Sequence, residues 1–380
     1  MRNRWNILAF TALGSVFAGM CLYLFFHPDR TGVVPAYRYA ASHWRAGQSM
    51  YAGGTHGFLY VPTFAVLFTP FNLIQPAVWG EILWRLLGFG LFGWALWKQA
   101  KVLSTQHGRL GITAPTFLYI SLLAVPASLA SLNNGQTNLP LSSVLVLSVL
   151  ALRDERWNLA ALLLSVGLIL KPIALAPWLL TFAVFPSIRR PLVLGGVAIF
   201  ALGFLHPDPA YAWQEQAEFF RKLAGSYTPD NLRVSDLFGA LAKAGCGMPK
   251  LLEKSLRASA CLAAWGYVWW TSRRRGRLVG IWSLWVVTSL LLTIFNPRAE
   301  TNSYVLISPL LAFVAIRCWQ GGAGGRWKAI LLSAACVGLM CDGMGKTIYL
   351  ATDVWFKPLI VLVVSPLLFR VPEGWKAGAR

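Results

Sequence analysis

The sequence predicts an all-α polytopic membrane protein, a bundle of about 12 transmembrane helices. Three observations carry this. Of the 380 residues, 56% are hydrophobic and 13% charged, whereas soluble domains carry about 25% charged residues. Apolar runs approaching the ~20 residues that a helix needs to cross a bilayer recur along the chain. The Lys and Arg residues, which give a net charge of +20, fall in short clusters between those runs, as cytoplasmic loops of a membrane protein require. That scatter speaks against a nucleic-acid partner, whose contacts would gather basic residues on one soluble face. The 18 Trp and 11 Tyr suit aromatic belts at the headgroup level.

The candidate spans are residues 7–26, 79–98, 113–131, 138–152, 191–205, 258–272, 278–295, 303–318, 327–341 and 354–370. The first follows Arg2 and Arg4. It exceeds the roughly 7–15 apolar residues of a signal peptide and lacks a small-residue cleavage site, so it reads as a retained span. Residues 61–74 carry Pro62 and Pro70 and are too short to cross alone, which predicts a re-entrant or interfacial helix. Residues 159–187 are one apolar stretch broken by Lys171-Pro172. Proline removes a backbone donor and biases its predecessor away from helix, so this stretch reads as a hairpin of two short helices with Lys171 at the turn.

Counting 61–74 as non-crossing and 159–187 as two crossings brings more than half of the Lys and Arg onto one side. Arg273-Arg274-Arg275-Gly276-Arg277 is the strongest marker. This parity predicts a multi-pass protein of the cell's cytoplasmic (inner) membrane with both termini cytoplasmic. The whole chain, 1–380, then forms one membrane-embedded domain. Its two long polar segments, 27–60 and 206–257, face outside. Within the first, Val34, Tyr37, Ala41 and Trp44 recur at helical spacing opposite Arg38, Ser42 and Arg45, which predicts a helix lying in the interface plane. The second reads as a surface loop. No internal repeat is visible.

Polar residues at membrane depth are costly and usually functional. Asn133-Asn134-Gly135-Gln136-Thr137-Asn138 places four amide side chains in six residues, a dense hydrogen-bonding turn. Lys171 lies between apolar neighbours and must snorkel, pair, or meet an anion such as a lipid phosphate. Arg298 can grip a phosphate, and Arg38 offers the same chemistry. Glu300 can accept a proton or bind a hydroxyl. Asp29, the one acid in residues 27–60, is the first candidate general base and Glu300 the second. Plain readings compete: a polar turn, a snorkelling lysine, an Arg298–Glu300 pair, a solvated Asp29. His27, His43 and His56 lack metal-ligand spacing, and the six Cys show no CxxC and no Cys/His pattern. No Asp-x-Asp, Walker or GxGxxG motif occurs. No cofactor is expected, although a divalent cation stays open.

Three blocks in order resemble the glycosyltransferase 87 family: Tyr37-Arg38-Tyr39-Ala40-Ala41 through Tyr51 and Phe58-Leu59-Tyr60-Val61-Pro62; Asn134-Gly135-Gln136-Thr137-Asn138; and Gly167 to Pro172, ending Leu170-Lys171-Pro172. The resemblance covers residues 37–172. It implies a GT-C-type membrane bundle with an extracytoplasmic first loop. It also implies transfer of a hexose, mannose by analogy, from a polyprenyl-phosphate sugar donor to an extracytoplasmic glycan or glycolipid acceptor, with inversion. Lys171 would then meet the lipid phosphate, and the turn with Asn134 and Gln136 would be a structural or substrate-contacting edge. The chain departs from the family at Val33, where an acid usually stands four positions before the tyrosine matching Tyr37; Asp29 lies four residues earlier. Two other readings stay open: a transporter or flippase of a lipid-linked sugar, and a catalytically inactive relative.

Overall fold

The computed structural model describes residues 2–27, 32–52, 57–105, 115–225, 234–372 and 375. Among them the chain forms eighteen α-helices and no strand. The first seven are α1 Arg2–Phe26, α2 Val34–Ala46, α3 Pro62–Leu73, α4 Ala77–Thr105, α5 Thr116–Ala124, α6 Leu129–Asn133 and α7 Asn138–Arg153. The next six are α8 Trp157–Leu170, α9 Leu175–Val184, α10 Arg189–Leu202, α11 Pro209–Gly225, α12 Leu237–Lys243 and α13 Lys250–Arg275. The last five are α14 Arg277–Thr293, α15 Ser308–Gln320, α16 Arg326–Gly338, α17 Lys346–Thr352 and α18 Phe356–Leu368.

Helix α7 is the centre of the bundle. It packs against α4, α8 and α14, and every residue from Asn138 to Arg153 is buried. Helix α1 is the opposite case: Ile7, Phe10, Leu22, Phe25 and Phe26 are all exposed along it. It packs on α4 and α5 along one side, and an apolar helix with so much of its surface left open fits a lipid surround. By length and composition two described helical stretches can cross a membrane, Arg4–Phe26 and Thr116–Asn133. The number rises to four if each of two bent pairs is one span. These apolar helices mark a membrane protein.

The expected twelve crossings are therefore not established by the helices. Asn138–Arg153, Trp157–Leu170 and Arg277–Thr293 are apolar but shorter than 18 residues. At 1.5 Å per residue the 16 residues of α7 fall short of the ~30 Å hydrocarbon core. An apolar run of this length serves equally as a helix buried in protein, and α7 is buried on all sides.

The breaks follow proline chemistry. Helix α8 ends at Leu170, and Lys171 is extended at φ −163°, ψ 131° before Pro172. A second break at Phe185, ahead of Pro186, bends the path by 116°. The interfacial reading of α2 needs correction. Its bounds agree with the helical spacing, but Val34, Tyr37, Ala40 and Ala41 are buried against α3. The apolar face is covered by protein, where Tyr37 packs among Tyr60, Phe64, Phe68 and Trp84. Segment 206–257 also differs from a plain surface loop. Helix α11 docks on residues 48–51: Tyr211 Oη donates to Gln48 O at 2.8 Å, Met50 N–H to the Glu215 carboxylate at 2.9 Å, and Lys222 Nζ to Tyr51 O at 2.9 Å. Burial pushes the Glu215 carboxyl upward.

Candidate active site

The amide-rich turn closes α6. Gly135 N–H donates to Leu132 O at 3.1 Å and Gln136 N–H to Ser131 O at 2.9 Å. These are the paired bonds that end a helix on a left-handed residue, and Gly135 has φ +63°. Helix α4 holds the turn from outside. Arg85 donates to Leu132 O at 3.1 Å and to Asn133 O at 3.0 Å, and Trp84 Nε1 donates to Gly135 O at 2.8 Å. Val33 N–H reaches Asn134 O at 3.0 Å, so the approach to α2 is stitched to the same turn. A Cβ on Gly135 would collide with the Val34 side chain and come within 3.1 Å of the Arg85 guanidinium carbon. Gly135→Ala is expected to lower stability by at least about 1–2 kcal/mol from the left-handed backbone alone, read as a fall in unfolding temperature in detergent.

The side chains after the turn form one connected network. Lys171 Nζ donates to Asn138 Oδ1 at 2.7 Å. Asn138 Nδ2 donates to Gln136 Oε1 at 2.7 Å and to Asn302 Oδ1 at 3.0 Å. Gln136 Nε2 and Asn302 Nδ2 then both donate to Glu300 Oε2, at 2.9 and 3.0 Å. The direction of every bond is forced. An ammonium only donates and a carboxylate only accepts, so the amides between them have one consistent orientation. Asn138 is fully buried, and Gln136 and Asn302 nearly so.

Glu300 caps the six-residue 3-10 helix Thr301–Leu306. Its side chain accepts from the Ser303 backbone, while Ser303 Oγ accepts from Glu300 N–H. Two more hydroxyls lock this turn onto the bundle: Ser131 Oγ donates to Asn302 O and Ser142 Oγ to Val305 O, both at 2.8 Å. Burial alone would raise the Glu300 carboxyl, but Lys171, the amide donors of Gln136 and Asn302, and Arg298 together hold it below the usual range. Burial pushes Lys171 down, with Arg298 acting the same way and Glu300 opposing. Beside them Tyr37 Oη, Tyr60 Oη and Thr137 Oγ1 make a hydroxyl chain with steps of 2.9 and 3.3 Å.

Of the residues singled out in the sequence, Gln136, Lys171 and Glu300 meet in this network. Arg298 stands two residues from Glu300, and its charge also lowers Lys222 of α11, after burial. Asn134 lines a cavity of about 840 Å³ together with Gln136, Glu300 and Asn302. Arg38 stands apart from the network; its guanidinium lies 4.0 Å from Glu81 on α4. Asp29 lies outside the described residues. Asn138 and Asn302 belong to the network without having been chosen as site residues. Both sit in the polar strings that pointed to the region, but nothing local marks them as joining Gln136 to Glu300. Among the described residues no three His, Cys, Asp or Glu side chains group as metal ligands.

No curated protein and no solved structure matches the chain. A family model, glycosyltransferase family 87, matches residues 58–309, a stretch that contains the amide turn, Lys171, Arg298 and Glu300. It spans well over half of the 380 residues, and on that extent the chain belongs to glycosyltransferase family 87.

Proposed function

We propose that this glycosyltransferase moves a hexose, mannose by family analogy, from a polyprenyl-phosphate donor to a hydroxyl of a glycan or glycolipid, with inversion at the sugar carbon. The reaction takes place at the extracytoplasmic face of the cytoplasmic membrane, with both termini on the other side. The observation that carries the reading is the oriented network ending on an ionised carboxylate at a cavity wall, with Lys171 at its far end and Arg298 close by.

In one displacement the acceptor oxygen bonds to the sugar carbon as the carbon–oxygen bond to phosphate breaks. The acceptor proton passes to Glu300 and the bond electrons leave with polyprenyl phosphate. A carboxylate held below its usual range is a weak base, so it takes the proton late, once the new bond has acidified the hydroxyl. Lys171 and Arg298 are the cations that meet the charge growing on the leaving phosphate. Asn134 edges the cavity on the acceptor side.

Lys171→Met keeps an unbranched side chain, one heavy atom shorter, and removes its charge. It is expected to lower transfer from a polyprenyl-phosphate hexose by about 10²-fold, the scale of losing one charge-stabilising donor. The measurement is radiolabelled sugar transfer in membranes containing the wild type or the variant. Transfer by the wild type from a nucleotide sugar, and from no polyprenyl-phosphate hexose, would overturn the proposed donor.

A further inference from the structure

The cavity beside Glu300 has an edge from α1 and residues 32–33 and two further walls of different origin. One is built from the family-matched stretch and carries Asn134, Gln136, Glu300 and Asn302. The other comes from beyond residue 309 and carries Asp342, Tyr349 and Asp353. Asp342 is the unusual member. Its side chain is only 8% exposed, and Oδ2 lies 2.8 Å from Lys357 Nζ. The same ammonium, itself fully buried, donates to Thr301 O at 2.9 Å, next to Glu300. The other oxygen, Oδ1, receives no donor from any described residue. A carboxylate held by Lys357 thus presents its other oxygen to the cavity, where it can accept from a ligand's hydroxyl.

The lining also discriminates between ligands. Its described residues include three carboxylates and no Lys or Arg, a lining richer in hydrogen-bond acceptors than in groups that would hold a phosphate. Lys171 and Arg298 are absent from the lining, and Glu300 reaches both regions. A neutral polyol has the opposite fit: its hydroxyls donate to carboxylates in charge-assisted bonds, and a cavity of this size suits a small ligand. We infer that this cavity is the acceptor-sugar subsite, and that Asp342, positioned by Lys357, accepts a hydrogen bond from one acceptor hydroxyl and so helps to set acceptor specificity. This rests on the glycosyltransferase reading of the preceding subsection.

The test uses the full-length protein in detergent, a farnesyl-phosphate hexose donor, and octyl hexosides as acceptors, including each single-deoxy analogue. Asp342→Asn is expected to raise the acceptor KM at least tenfold and leave the donor KM unchanged. One deoxy analogue should show the same rise with the wild type and no further rise with the variant. A rise in donor KM, or an unchanged acceptor KM, would overturn the inference while leaving transfer itself intact. Absence of any transfer by the wild type would instead sink the underlying reading. If Asp342→Asn fails to fold, the wild-type deoxy series decides alone: a series with no analogue losing tenfold overturns the subsite.

Discussion

Glu300→Gln is expected to lower sugar transfer by about 10²–10⁴-fold, the usual worth of a positioned general base. The fold should survive, because a glutamine oxygen can still accept from Gln136 and Asn302. The bond at risk is the cap from the Ser303 backbone to the Glu300 side chain, worth about 1 kcal/mol. Transfer assays beside an unfolding curve separate the two effects. The pH dependence adds a second readout. Since the Glu300 carboxyl is held below its ordinary range, the proposed base stays ionised through neutral and mildly acidic pH. Its share of activity is lost only as pH falls below about 4.3, the ordinary glutamate value. The stability it contributes has the same sign, being present above that value and lost as pH falls through the lowered one. Retained transfer in Glu300→Gln with loss in Asp29→Asn would move the base to Asp29.

Asp236→Ala is expected to destabilise the protein by about 3–5 kcal/mol, the cost of breaking a buried ion pair on one side. Asp236 is fully buried. It caps α12 by accepting from Gly239 N–H at 2.7 Å and meets Arg257 at 2.6 Å. Arg257 lies over the Phe238 ring and donates to Phe295 O, so removing the acid leaves a buried guanidinium without its main counter-charge. The preceding residue links this pair to the site: Ser235 N–H donates to Ala299 O at 2.6 Å, and Tyr304 Oη donates to Ser235 O at 2.9 Å. Both flank Glu300. Thermal unfolding in detergent measures the loss, and a change below about 1 kcal/mol would mean that the pair is solvated in solution.

Local features were legible in the sequence because local chemistry fixes them. The spacing of Val34, Tyr37 and Ala41 gave the bounds of α2, Pro172 placed the break at Lys171, and Asn134-Gly135 marked a turn. What was not legible is what those features face. The apolar side of α2 could have met lipid or protein, and α3 with Trp84 covers it. The run 138–152 could have been a lipid-facing span, yet α7 is enclosed by α4, α8 and α14. Arg38 and Arg298 look alike as phosphate ligands in a sequence, but Glu81 stands beside only the first. Segment 206–257 is polar by composition, and its contribution lies in a few contacts to residues 48–51 and 294–299 that no periodicity reveals.

The network from Lys171 to Glu300 also bears on the order in which the protein assembles. Its members come from three stretches: 136–138, 171 and 300–302. The bond from Asn138 to Asn302 closes a separation of 164 residues. Contacts this distant in sequence form late, after the local helices. Until the last stretch docks, Asn138 and Gln136 hold amide hydrogens with no acceptor, and Lys171 has no counter-charge within the network. The network is thus a late product of folding: an incompletely assembled bundle has the Glu300 carboxylate out of place, and if Glu300 is the base proposed above, such a bundle is expected not to transfer sugar.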